Sequence, residues 1–136
     1  YYIEFGCTDL RKLIEDEIQL YSNKSPAEIT FNSPSYIFLG DEESWRIVLE
    51  NLLDNAVRYA QKRIIISLDE NTLSVFNDGL QIPQDKIGDI FNAYEKGPTG
   101  NFGLGLSIVK RTVNLFGYNI AAANIDDGVR FTISRQ

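Results

Sequence analysis

Two asparagines and an arginine follow one another at helical spacing near the middle of the sequence. With successive residues about 100° apart, Asn51, Asn55 and Arg58 lie within roughly 60° of one another on one helix face. Carboxamide oxygens suit Mg²⁺, a guanidinium suits a phosphate, and the neighbouring Tyr59 could cover one side of a base. An adjoining apolar stripe would pack this helix on a sheet: Leu49, Leu52, Leu53, Ala56 and Ala60. The alternative is the solvated polar face of an ordinary amphipathic helix.

A polar turn, Asn-Asp-Gly-Leu-Gln-Ile-Pro over 77–83, directly follows a predicted strand. A polar side chain at the end of a strand, followed by Gly79, can direct an acceptor at an exocyclic amine such as that of adenine. Asn-Asp-Gly is also a strong turn signal in any protein, so a plain turn is the alternative.

A glycine-rich stretch over 100–110 opens a predicted helix, whose unpaired N–H groups would face an anion. It is not a Walker P-loop, because no Gly-Lys-Ser/Thr follows at the required spacing. It does not open a Rossmann unit either, because a polar loop precedes it rather than a strand. Without a ligand, it would be a glycine-rich helix start and nothing more.

Composition limits the chemistry. The chain has 136 residues, 43% of them hydrophobic and 24% charged, which indicates one folded domain. A net charge of −6 argues against nucleic acid as a partner. The absence of histidine excludes a Ser-His-Asp triad and His-ligated zinc, and the lone Cys7 fits a reducing compartment. Because Met is absent, we expect Tyr1 to begin an excised piece of a longer protein.

Hydrophobic periodicity and turn residues predict strands that alternate with helices, and this pattern indicates a two-layer α/β sandwich. The predicted strands are 2–5, 28–31, 36–39, 63–68, 72–76, 119–124 and 129–133, with 28–31 and 36–39 on either side of one turn. The predicted helices are one capped by Asp9, one from Asp41 to Ala60, and others at 84–91 and 103–116. A loop is expected over 95–101.

In this order and spacing, the three stretches resemble the N, G1 and G2 boxes of sensor histidine kinases, in the family shared with gyrase and mismatch-repair ATPases. Phe-Asn-Ala-Tyr over 91–94 resembles the F box. The resemblance runs from about Asp41 to Lys110 and implies one ATP-binding domain over 1–136. It also implies a fold of the Bergerat type, a mixed sheet with helices packed on one face, and ATP and Mg²⁺ as cofactors.

The resemblance implies a role for each matching residue. It assigns Mg²⁺ to Asn55, a nearby polar role to Asn51, the phosphates to Arg58 and the flank of the nucleotide to Tyr59. The residues implied to act in catalysis are Asn51, Arg58 and Lys96. Those implied to bind the nucleotide besides these are Asn77, Asp78, Gly79 and Ile82 near the adenine and Gly103, Leu104, Gly105 and Leu106 near the triphosphate.

Four positions depart from the family pattern. Asn77 stands where the adenine-contacting Asp is usual, and Gln81 replaces the second glycine of the G1 box, which would stiffen that loop. In the F box, Tyr94 replaces a Phe and Ala93 lies where an Arg is common. The segment between Tyr94 and Gly103 is short, like a trimmed ATP lid, and would close less of the site.

The implied reaction is transfer of the ATP γ-phosphoryl group to a histidine on a separate dimerisation domain of the same kinase, which would then serve a response regulator. Because the chain has no histidine, we expect that it cannot phosphorylate itself. We expect it to be a monomer that comes from a dimeric, membrane-anchored sensor. The domain would lie on the cytoplasmic side of the membrane. The rivals are a non-catalytic regulatory module and an ATPase or serine kinase of the same superfamily. Asn51, where the ATPases carry a Glu, counts against the ATPase.

Overall fold

The computed structural model describes residues 6–92, 95–97, 100–103 and 105–136, with the backbone alone described between 95 and 103. In these ranges three helices and nine strands are found. The helices are α1 (Leu10–Tyr21), α2 (Glu42–Tyr59) and α3 (Gly105–Leu115). The strands are β1 (Cys7–Asp9), β2 (Glu28–Phe31), β3 (Ile37–Leu39), β4 (Arg63–Leu68), β5 (Thr72–Asn77), β6 (Glu95–Gly97), β7 (Gly100–Gly103), β8 (Tyr118–Ile125) and β9 (Gly128–Arg135).

A five-stranded sheet in the order β2-β4-β5-β9-β8 forms one layer of the fold. β2 and β4 run parallel, and the other neighbours are antiparallel. Alternate side chains of β4 and β5, such as Ile64, Ile66, Leu73 and Val75, are buried against the three helices, while Ile65 faces away and is exposed. The predicted two-layer α/β sandwich is therefore confirmed.

The helix that carries the paired asparagines begins and ends where the sequence predicts. Asp41 caps α2 by accepting a hydrogen bond from Ser44 N at 3.0 Å, and Glu42 and Glu43 lie in its first turn, where the helix dipole favours negative charge. One face is buried in the core: Trp45, Val48, Leu49, Leu52, Leu53 and Ala56. This burial fixes which side of the C-terminal half of α2 faces away from the sheet.

An aromatic cluster fixes the other end of α2. The ring of Phe38 stacks on Tyr118 with centroids 5.4 Å apart, and Trp45 meets both rings edge-on. Trp45 Nε1 also donates to the carbonyl of Leu39 at 2.8 Å. The cluster joins β3, α2 and β8, so the helix cannot rotate without disrupting a fully buried region.

Several sequence-based expectations about local structure need correction. The predicted strands at 28–31 and 36–39 are found as β2 and β3, the latter one residue shorter, and they belong to different sheets: β2 pairs with β4, and β3 pairs with β1. The segment 84–91 is a series of turns rather than a helix, with i to i+3 hydrogen bonds such as Lys86 N to Pro83 O. Only its last two residues are buried, too few apolar positions to hold a helix on the sheet.

Two further predictions concern residues 95–101 and the first residues of the chain. The expected loop over 95–101 contains the antiparallel pair β6 and β7. The predicted strand at 2–5 lies outside the described residues, and the first strand found is β1. Within the described ranges, no helix combines the length and apolar character that crossing a bilayer requires.

Candidate functional site

A narrow, open cleft lies between the C-terminal half of α2 and the adjacent ends of β5 and β9. The described residues that line it are Asn55, Tyr59, Asn77, Leu80, Ile82, Val129 and Phe131. Four of these, Asn55, Tyr59, Asn77 and Ile82, are predicted nucleotide contacts. The cleft therefore joins the first two motifs, which lie about 20 residues apart in the sequence.

Three apolar residues of the lining were missed as site residues. Val129 and Phe131 alternate with exposed residues along β9 and turn toward the helices, and Leu80, with 60% of its surface exposed, lies at the mouth. The alternation in β9 was a usable signal for which residues face the helices. It could not show that this part of the strand borders a cleft, because that depends on the pairing of β9 with β5.

Asn55 offers a free carboxamide to the cleft. It is half-buried, and among the described residues none forms a hydrogen bond with its side chain. No group of three or more Cys, Asp or Glu side chains in the described part of the chain is arranged to hold a metal ion. A cation here would therefore take one amide oxygen from the protein and the rest of its ligands from phosphates and water, which is how Mg²⁺ is commonly bound beside a nucleotide.

Asn77, at the end of β5, is one of the few buried polar residues, with 2% of its surface exposed. Its Oδ1 accepts a hydrogen bond from Gly79 N at 2.9 Å and so closes a tight turn after the strand. A Cβ at Gly79 would collide with the backbone carbonyl of Tyr59 and approach Asn77 Oδ1 to 2.7 Å. The turn can thus lie against the end of α2 only because residue 79 is glycine.

Asp78 is not among the described lining residues and is bound by the backbone, while its implied role in binding the nucleotide stays a prediction. Its carboxylate accepts hydrogen bonds from the backbone amides of Gln61, Lys62 and Arg63, at 2.8 to 3.2 Å. Burial alone would raise the pKa of Asp78, but these amide donors outweigh it and hold the pKa below its usual value. Asp78 therefore fixes the connection between α2 and β4, on which the cleft is built.

Replacing Asp78 by asparagine is expected to lower the free energy of unfolding at neutral pH by about 2–3 kcal/mol, because an amide cannot satisfy three converging donors as a carboxylate does. Since the folded-state pKa lies below the unfolded one, this contribution is complete above the unfolded pKa of about 4 and is lost as the pH falls through the folded pKa. Urea denaturation at pH 7 and pH 3 measures it. The matched change of the exposed Asp85 to asparagine should have little effect, and equal losses in the two variants would contradict this role.

Two side chains fasten the segment that carries Ile82. Asn124 accepts from Ile82 N at 3.0 Å and donates to Ile82 O at 2.8 Å, as a neighbouring strand would. Gln81 donates to the carbonyl oxygens of Asp126 at 3.1 Å and Gly128 at 3.4 Å. These contacts are those of a tethered loop, in line with the expectation that Gln81 stiffens it. Asn124 was not recognised from the sequence, since an asparagine in a strand carries no signal of this role.

Asn51 links α2 to the start of α3 rather than lining the cleft. Its Nδ2 donates to the carbonyl of Ile47 one turn earlier at 2.9 Å. A Cβ at Gly105 would lie 2.9 Å from Asn51 Oδ1, so the first residue of α3 passes directly over this amide. The structure therefore joins the third motif to the first through Asn51 and Gly105, and the position suits a residue that places the N-terminus of α3.

The remaining predicted residues divide into three groups. Arg58 is exposed and precedes Tyr59, but it is not among the described lining residues. The side chain of Leu106 is buried in the core. The predicted contact of this residue with the triphosphate could therefore involve only its backbone. Gly103 ends β7, while the side chain of Lys96 and all of Leu104 lie outside the described residues, as do Ala93 and Tyr94 of the F box.

The described part of the F box packs against the wall of the cleft through Phe91. Phe91 is buried and meets Phe131, a lining residue, edge-on with ring centroids 6.2 Å apart. The ammonium of Lys110, on α3, lies 6.0 Å from the centre of the Phe91 ring. Phe91 thus connects the wall formed by β9 to α3.

The family of histidine kinase-, DNA gyrase B- and HSP90-like ATPases matches residues 40–135. The chain belongs to this ATPase family. Among its relatives is the sensor histidine kinase CssS of Bacillus subtilis (strain 168), 37% identical over 99 residues, which cover 70% of this chain and 22% of CssS. The predicted relationship of this ATPase-family domain to sensor histidine kinases is confirmed.

Solved structures give the same architecture. The catalytic domain of the histidine kinase ThkA superposes with a TM-score of 0.81 at 26% identity, covering 95% of each chain. Full-length ShkA in complex with AMPPNP superposes with a TM-score of 0.83 at 23% identity, covering 96% of this chain and 30% of ShkA. The predicted mixed sheet with helices on one face is thus the fold of histidine kinase catalytic domains.

Proposed function

We propose that the cleft binds Mg-ATP and that the chain is the catalytic domain that transfers the γ-phosphoryl group to a histidine on a separate domain. The observation that carries this proposal is the free amide of Asn55 beside the buried amide of Asn77 in one cleft with apolar walls. Family membership supports it, as does the AMPPNP complex of ShkA. Because the chain spans only 22% of CssS, the activity of the whole protein is part of the proposal.

The walls suit a purine. Ile82, Val129 and Phe131 are buried and apolar, Tyr59 closes the side formed by α2, and Leu80 is exposed at the mouth, where it can fold over a base. Asn77 lies at the polar end and can contact the edge of the ring. The triphosphate would then extend along α2 toward Gly105, because Asn51 lies one turn before Asn55 and contacts that glycine.

At the phosphate end, Asn55 would hold Mg²⁺, which would neutralise charge on the phosphate oxygens. The first backbone N–H groups of α3, at Gly105 and Leu106, are suited to donate hydrogen bonds to a phosphate oxygen, and Arg58 and Lys96 are the cations proposed to face it. Asn51 has no carboxylate with which to activate water, so ATP bound here is protected from hydrolysis until an acceptor is presented. Phosphoryl transfer needs such positioning more than covalent chemistry.

The partner that completes the reaction is proposed to be the histidine-containing dimerisation domain of the parent kinase, with a response regulator as the next acceptor. The sequence contains no histidine to act in its place. We propose that the domain works on the cytoplasmic side of a membrane-anchored sensor, as a monomeric unit of a dimeric protein.

Mixing the chain with radiolabelled Mg-ATP and the dimerisation domain of its parent kinase tests the transfer. We expect a label on that domain that is stable in base and lost in acid, as phosphohistidine is, and no label on the chain itself. A dimerisation domain with its acceptor histidine replaced by glutamine is the control and should stay unlabelled. Steady phosphate release without the partner would favour an ATPase, and a label stable in acid would favour a serine kinase.

A regulatory module without transfer activity is the second candidate. It is favoured by Asn77, which brings no charge to the edge of the base, and by the tethering of the following segment through Gln81. Tight nucleotide binding with no label on the dimerisation domain, under conditions where the domain accepts phosphate from an active kinase, would support this candidate over ours.

A further inference from the structure

We propose that Asn77 lets the cleft accept purine nucleotides with a carbonyl group at C6, such as inosine triphosphate, alongside those with an amino group there. The inference rests on the proposed nucleotide site and concerns which base that site takes. It follows from the orientation of one buried amide and from the absence of a carboxylate in the described lining of the cleft.

The orientation of the Asn77 amide is fixed by its neighbour. The backbone N–H of Gly79 can only donate, so the atom that faces it at 2.9 Å must be Oδ1. The Nδ2 group takes the other position, and no described residue accepts a hydrogen bond from it. Because Asn77 lines the cleft and is otherwise buried, the cleft is where this N–H donor finds an acceptor.

A donor at this position matches the C6 carbonyl of a 6-oxopurine without any rearrangement. The same amide can serve adenine, because Nδ2 can donate to ring N1 and the second lone pair of Oδ1 can accept from the amino group. A carboxylate in place of the amide would offer only acceptors, and these would repel the lone pairs of a carbonyl oxygen. An amide or a carboxylate at residue 77 therefore decides whether the cleft distinguishes 6-oxopurines from 6-aminopurines.

No other described group restores a negative charge to this wall. The adjacent carboxylate, Asp78, is turned away and fully engaged by the amides of residues 61–63. None of the other described lining residues is Asp, Glu, Lys or Arg. Discrimination between the two kinds of purine is thus left to Asn77 alone among the described residues.

Calorimetric titration with ATP and with inosine triphosphate, each with Mg²⁺, tests the inference. Inosine is the better probe than guanosine because it lacks the additional 2-amino group. We expect the two dissociation constants of the native chain to agree within about tenfold. In the Asn77→Asp variant, the ratio of the inosine to the adenine constant should rise at least about tenfold, because a buried polar mismatch then faces the carbonyl.

Asn71→Asp is the matched control, since it adds the same charge at an exposed turn just before the opposite end of β5 and should leave the ratio unchanged. Leu80→Ala should weaken both nucleotides equally. A native ratio above about tenfold, or one that Asn77→Asp leaves unchanged while the variant still binds ATP, would overturn the inference alone. Failure of the native chain to bind either nucleotide would remove the proposed function as well.

Discussion

Replacing Asn55 by alanine is expected to weaken binding of Mg-ATP analogues at least tenfold and to lower phosphoryl transfer about 100-fold, which is the scale seen when one positioned polar group is removed from a metal or charge-stabilising site. The reason is geometric. Asn55 is half-buried in the cleft, and none of the described residues forms a hydrogen bond with its amide. No hydrogen bond to a described residue therefore uses this side chain to stabilise the fold. Calorimetry with AMPPNP, with and without Mg²⁺, measures the first effect.

The sharper form of this test is the dependence on the metal. In the native chain, adding EDTA should weaken AMPPNP binding markedly, whereas in Asn55→Ala it should change little, because the protein ligand is already lost. Asn114→Ala, an exposed asparagine on α3, is the control for the loss of a helical asparagine. A variant that bound Mg-AMPPNP as tightly as the native chain and kept its EDTA response would show that Asn55 does not hold the ion.

Replacing Gly79 by alanine is expected to be the most damaging single-methyl change in the site. The new Cβ would overlap the carbonyl of Tyr59 and crowd Asn77 Oδ1, so either the end of α2 or the turn after β5 must move. Overpacking of this kind costs about 3 kcal/mol or more where backbone is the obstacle, and a shift of either element changes the cleft. We therefore expect a melting temperature lower by roughly 10 °C and AMPPNP affinity lower by more than tenfold.

Gly88→Ala supplies a control of identical size. Gly88 is exposed, a Cβ there would meet nothing within 4 Å, and its φ is not positive, so the same methyl group should be nearly neutral. Circular dichroism melts of both variants, together with AMPPNP titrations, make the comparison. If Gly79→Ala kept native stability and native affinity, the contact between the turn and the end of α2 would not be part of the site.

The helices and most strands could be predicted because their signals are local. Asp41, the acidic first turn and the apolar stripe together define α2, a β-branched apolar run defines β4, and apolar-polar alternation defines β9. The same locality explains why Asn55, Tyr59 and Asn77, which line the cleft, could be singled out: each belongs to a contiguous motif whose geometry follows from one helix or one turn. Their convergence in a single cleft is what the sheet topology added.

Contacts between distant segments could not be predicted in this way. Nothing local shows that Asp78, and not Asn77, turns back to the amides of residues 61–63, because both are small polar residues at a strand end. Asp-Asp-Gly over 126–128 has the composition of an ordinary turn, yet a Cβ at Gly128 would collide with the carbonyl of Asn77 on the neighbouring strand. The parallel pairing of β2 with β4, across a long helix, is a third case.

The most direct test of the account is amide chemical-shift mapping by NMR while Mg-AMPPNP is added. We expect saturable shifts at three separated stretches, around Asn55, across 77–82 and at Gly105, with little change at Ser67 and Ser74, which line the opposite face of the sheet. Shifts confined to that opposite face, or none that saturate, would contradict the claim that these stretches form one magnesium-dependent nucleotide site.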